Sequence, residues 1–182
     1  MNRKHTSPVK EETLVSAEEL AAQTRFLSHV DLHIAESIRF ADSKAGFAVA
    51  LCTALIGAMF AAKCHLHFVH VPLRHWTIFS ILSLTAFALL LASIVAAVVA
   101  IRPRLWNSPQ SLIAWQNIAR CEDCDAFVHG VLRQRSEDMG MQLAKHIHSG
   151  ATICRKKYRW VNASISLGTI GGLLGAIVIA WQ

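Results

Sequence analysis

Apolar and polar residues alternate along this chain in long blocks. Three blocks, residues 45–62, 76–101 and 161–181, contain no Asp, Glu, Lys or Arg across 18, 26 and 21 positions. Coiled as helices at ~1.5 Å per residue they extend about 27, 39 and 31 Å, against a hydrocarbon core of about 30 Å. Each is long enough to cross a bilayer, and the second must tilt or protrude. The pattern predicts an all-α membrane protein with three transmembrane helices.

The polar blocks carry a different period. Residues 1–16 are polar, include Pro8 and show no repeat, which predicts a mobile tail. From there Leu20, Leu27, Ile34 and Ala41 recur every seven positions, with Val30 and Ile38 in the same stripe. This predicts an extended amphipathic helix over residues 17–44 that continues unbroken into the first span. Its stripe either lies flat on lipid, or packs on the segment between spans two and three or on copies of itself. That segment, residues 102–160, also reads as helical. Pro103, within Arg102-Pro103-Arg104, ends or kinks the second span, and Ser108-Pro109 restarts a helix. Leu112, Trp115, Ile118 and Ala119 share a face that Phe127, Val131 and Leu132 extend. Met139, Leu143, His146, Ile147 and Gly150 then repeat at helical spacing toward the third span.

Charge sets the expected orientation. Residues 1–44 hold six Lys and Arg, residues 102–160 hold ten, and the loop at 63–75 holds only Lys63 and Arg74. Basic loops stay on the cytoplasmic side. The expected arrangement is a multi-pass protein of the cell inner membrane with a cytoplasmic N-terminus, an outer loop at 63–75, a cytoplasmic segment at 102–160 and the C-terminus outside. Trp76, Trp106, Trp160 and Trp181 lie at or just beyond span ends, where indole rings prefer the headgroup level. The first 30 residues lack an apolar core followed by a cleavage site, so the first span is expected to serve as an uncleaved signal-anchor. The net charge of +6 is explained by topology and anionic lipid before nucleic acid, which is not expected as a partner.

Candidate chemistry is sparse. Cys121 and Cys124 form a lone Cys-x-x-Cys; a structural zinc site needs four ligands, and His129, His146 and His148 make no second pair at finger spacing. The outer loop gathers Cys64, His65, His67, His70 and His75 without a carboxylate. Neither a bound metal nor a cofactor is expected, and no Gly-x-Ser-x-Gly, His-Glu-x-x-His or Walker pattern points to an enzyme. Small residues say more, because they let helices approach in lipid. Gly46, Ala50, Ala54, Ala58 and Ala62 line one face of the first span, while Gly168, Gly171, Gly172 and Gly175 make overlapping Gly-x-x-x-Gly pairs in the third. Two such faces favour a homo-oligomer over mere packing within one chain. Asp42, just before the first span, brings no topological benefit and can meet Arg39 one helical turn earlier.

The sequence Asp42-Ser43-Lys44-Ala45 before the first span, Arg102-Pro103-Arg104 after the second and Lys156-Lys157-Tyr158 before the third, with the spacing between them, resembles the transmembrane Pycsar effector family of bacterial antiphage defence, over roughly residues 26–181. The resemblance implies an effector partnered with a pyrimidine nucleotide cyclase that makes cyclic CMP or cyclic UMP. Such an effector impairs the inner membrane so that infection aborts. It marks Asp42, Lys44, Arg102, Arg104, Lys156, Lys157 and Tyr158 as family-typical positions. A conventional cyclic-nucleotide-binding barrel does not fit in this chain. A sensed nucleotide would fall to the inner segment, where Arg120, Arg133 and Arg135 are candidate hydrogen-bond donors to its phosphate. The alternatives are a constitutive channel or transporter subunit, and a membrane anchor that recruits a partner protein.

Overall fold

A computed structural model describes residues 8–66, 78–102, 118–119, 123–134 and 136–181. Four helices account for most of them: α1 (Pro8–Ala61), α2 (Ile78–Ile101), α3 (Cys124–Leu132) and α4 (Ser136–Ala180). There is no strand among the described residues. Three of the helices, α1, α2 and α4, are long and apolar enough to cross a membrane. The chain divides into two units, one formed by residues 1–36 and 105–151 and the other by residues 37–104 and 152–182.

α1 is a single helix of 54 residues, in which the polar heptad stretch and the first span are continuous. It begins at Pro8, ahead of the start that the heptads set; a residue without an N–H is no loss in a first turn, where that donor has no helical partner. α4 likewise joins the polar residues after Ser136 to the third span in one helix of 45 residues.

In the first unit the amphipathic stripe is half-buried at Leu20, Leu27, Val30 and Ile34. Ile34 packs where Gly150 of α4 has no side chain, 3.2 Å from the position a Cβ would take. The stripe therefore meets the segment between the second and third spans of its own chain. Asp31 and His146 face each other at 3.8 Å in the same unit. On α3, Phe127 and Val131 are half-buried one turn apart, but Leu132 is 75% exposed. One residue further is about 100° around a helix, so Leu132 leaves the face it was expected to extend. Pro103, Trp106, Ser108, Pro109, Leu112 and Trp115 lie outside the described residues, as do Trp76 and most of the 63–75 loop.

The second unit is a three-helix bundle. α2 runs antiparallel to α1: Ser83 donates a hydrogen bond to the Cys64 carbonyl at 2.9 Å, Cys52 Sγ and Ser93 Oγ lie 3.3 Å apart, and Ala41 and Ala45 cluster with Ala97 and Ala100. α4 runs parallel to α1, with Gly168 against Cys52, Gly172 against Leu55 and Gly175 against Met59. Small residues make up much of the core, seven of the fourteen buried apolar residues being alanine with four serines buried beside them, and they let the backbones approach. Ser93 ties the middle together, donating to the Ser164 carbonyl at 2.7 Å and standing 3.1 Å from its hydroxyl.

The glycines of the third span are used within the chain. A Cβ at Gly168 would sit 2.9 Å from Ser93 Oγ, at Gly171 3.1 Å from the Leu90 backbone nitrogen, at Gly172 3.1 Å from Leu55 and at Gly175 2.8 Å from Met59. The face expected to meet another copy is thus occupied by α1 and α2. The other small-residue stripe is open: Gly46, Ala50, Ala54 and Ala58 are exposed, and nothing lies within 4 Å of a Cβ built at Gly46.

α1 ends in a Schellman motif. Lys63 takes the left-handed conformation (φ 57°), its N–H bonds to Phe60 O at 2.9 Å, and the Cys64 N–H reaches Met59 O at 3.0 Å. A side chain in that conformation costs about 1–2 kcal/mol, offset here by those two bonds and by burial of Cys64 beside Met59.

Candidate functional site

At the Asp42 end of the bundle a charge is buried. α4 carries the run Arg155-Lys156-Lys157-Tyr158-Arg159, and helical spacing puts only one of its cations on the face shared with Val161 and Ser164. That residue is Lys157, 4% exposed, whereas Arg155, Lys156 and Arg159 are exposed. Tyr158 is half-buried against Ala41, Ala45, Ala97, Ala100 and Val161.

The partner is Asp42. Lys157 Nζ donates to Asp42 Oδ1 at 2.5 Å, joining residues 115 apart in the chain. The lysine side chain keeps 6% of its exposure and the aspartate 36%. Helical spacing had pointed Asp42 toward Arg39; instead Asp42 turns to α4 and Arg39 is exposed. The exchange follows from desolvation. A buried ammonium strongly requires a counter-ion, while Arg39 is already solvated. Cys154, one turn before Lys157, is half-buried, and burial raises its thiol pKa, an effect the Lys157 charge partly opposes.

The other family-typical positions sit differently. Lys44 is exposed, its ammonium 4.3 Å from the centre of the Phe40 ring. Arg102 is exposed at the end of α2, its N–H bonded to Val98 O, and Arg104 lies outside the described residues. Of the arginines expected to bind a phosphate, Arg133 is exposed just beyond α3, and Arg120 and Arg135 lie outside the described residues. Cys124 is exposed at the start of α3, and Cys121 is also outside them.

At the far end of the bundle Cys64 is fully buried, and burial raises its thiol pKa against a smaller opposing contribution from a backbone hydrogen bond. His65 stacks on Phe60 with ring centres 4.8 Å apart. His67, His70 and His75 lie outside the described residues. Among the described residues, no three His, Cys, Asp or Glu side chains gather as metal ligands.

Sequence reasoning identified Asp42 and Lys157 separately but missed the bond between them. A signal was available: Asp42 and Lys157 each fall on the apolar, core-facing stripe of its own helix.

Three apolar helices packed through small residues around one paired cation define a multi-pass membrane protein. The model of the Pycsar effector protein domain matches residues 26–182, and the chain belongs to that family. It is a membrane effector associated with Pycsar defence. Comparisons with curated proteins and with solved structures gave no match.

Proposed function

We propose that this chain is the executing component of a Pycsar response. A cyclic pyrimidine nucleotide, cyclic CMP or cyclic UMP, made by a partner cyclase, binds the cytoplasmic side of a homo-oligomer in the inner membrane. The assembly then impairs membrane integrity and infection aborts. The family match over residues 26–182 carries this proposal.

The Lys157–Asp42 pair supports a route for it. A buried pair can be left or exchanged only when its helices move or water enters, so it favours two discrete arrangements over a continuum. A ligand that binds the open arrangement better than the resting one shifts the population toward it. In this scheme the N-terminus and the 102–160 segment face the cytoplasm, as the distribution of Lys and Arg favours.

The test is dye and ion efflux from liposomes carrying the purified chain, with cyclic CMP, cyclic UMP, cyclic AMP or cyclic GMP added to the exposed face. Efflux triggered by one pyrimidine nucleotide alone is the expected outcome. Efflux without any nucleotide indicates an ungated pore. Silence with all four, from demonstrably inserted protein, overturns direct sensing and favours an anchor.

A further inference from the structure

A groove of about 710 Å³ runs along the membrane unit between α1 and α4. It starts at Ser43 and Lys44 and reaches Leu55 on α1 and Leu173 on α4. Eleven residues from Lys44 to Leu55 span roughly 16 Å, the depth of about one leaflet of hydrocarbon. The volume falls within the roughly 300–1,000 Å³ of ordinary small-molecule sites.

The walls are apolar in effect. The hydroxyls of Ser93 and Ser164 are bonded to each other, and Thr169 donates back to Ile165 O at 2.8 Å. Phe47, Leu51, Ile165 and Leu173 line the groove and are each more than 40% exposed. The glycines that let α4 approach α1 leave part of this hollow, since Gly168 and Gly172 also line it.

The mouth is charged. Lys44 is the one charged residue lining the groove, and it has no carboxylate partner among the described residues. The Phe40 ring steadies its ammonium from one side. The neighbouring carboxylate, Asp42, is taken by Lys157. Lys44 directly precedes the charge-free run of residues 45–62, which would set it at headgroup level in a bilayer, and a cation there above a leaflet-deep apolar trough matches the chemistry of an anionic phospholipid.

We infer that this groove is a specific anionic-phospholipid site, with one acyl chain lying between α1 and α4 and the phosphate on Lys44. The site assigns Lys44 a binding role distinct from the structural role of Asp42. It needs only membrane insertion and does not depend on nucleotide sensing.

The test uses the full chain in phosphatidylcholine vesicles and chain spin-labelled phosphatidylglycerol, read by electron paramagnetic resonance as the immobilised lipid fraction. Phosphatidylglycerol is expected to be held several-fold more tightly than labelled phosphatidylcholine. Lys44→Gln should lower that preference roughly fivefold, the effect of one basic residue at an anionic surface. Lys156→Gln, in the separate hollow formed with Arg159 and Trp160, should leave it intact. Thr169→Phe, at an exposed position that lines the groove, should release one immobilised lipid per chain. Equal retention of the two lipids, or a preference that survives Lys44→Gln, overturns the site. So does a Thr169→Phe variant with unchanged lipid, or a groove sealed by a second copy, read as a disulfide crosslink between chains of a Phe47→Cys variant.

Discussion

Two acid–base pairs link α1 to α4, one in each unit, and they are built alike but buried differently. Asp31 faces His146 at 3.8 Å with side chains 37% and 32% exposed. Asp42 bonds Lys157 at 2.5 Å with side chains 36% and 6% exposed. Both join residues 115 apart, and within each helix the acids and the bases are 11 residues apart, three turns of an 11-residue repeat. The sequence offset between partners is therefore the same in each pair. The difference lies on the basic side: His146 is a third exposed and stands beyond hydrogen-bond reach of Asp31, whereas Lys157 is buried and bonded to Asp42, which makes the second pair hard to break.

Asp42→Ala should have the largest effect, because it leaves Lys157 buried without a counter-ion. A loss of about 3 kcal/mol is expected, at the low end for a broken buried pair because Asp42 keeps a third of its surface. Denaturant unfolding in micelles measures it, and phage protection should be lost while insertion persists. Replacing both residues, as Asp42→Leu with Lys157→Met, should restore most of the stability. If protection returns too, the pair is only structural; if stability returns alone, the charges serve the response.

A second contrast sharpens the role of packing. Gly171→Leu drives a side chain toward the Leu90 backbone and should cost about 1–3 kcal/mol. A Cβ at Gly46 meets nothing within 4 Å, so Gly46→Leu should leave the fold unchanged. If copies associate through the open alanine stripe, Gly46→Leu shifts the detergent-solubilised protein to monomer. An oligomer that resists this change moves the interface elsewhere.

Asp31→Asn should change stability by no more than about 0.5 kcal/mol, since its pair is a third exposed on both sides. A loss matching that of Asp42→Ala would erase the contrast. Thiol chemistry reports the same burial. Cys154 should alkylate more slowly than exposed Cys124 at pH 8, because a raised pKa leaves less thiolate at a given pH. Lys157→Met removes the opposing charge and should slow Cys154 further, as mass spectrometry of single-cysteine variants would register.

The spans, the continuous amphipathic first helix and the family motifs were legible in the sequence because each is a one-dimensional pattern. A run of about 20 apolar residues or a seven-residue stripe needs no knowledge of what lies opposite. The 115-residue pairing of Asp42 with Lys157, the use of the third-span glycines inside the chain and the Lys44-headed groove depend on the register between helices. Local spacing offered Asp42 a nearby arginine, and only the packed bundle, by desolvating Lys157, made the distant lysine its partner. The glycine stripe was likewise readable as a close approach, but sequence does not say to what. Tertiary structure answered by placing Leu55, Met59, Leu90 and Ser93 against it, because small residues specify that a backbone comes near and leave its identity to the neighbour.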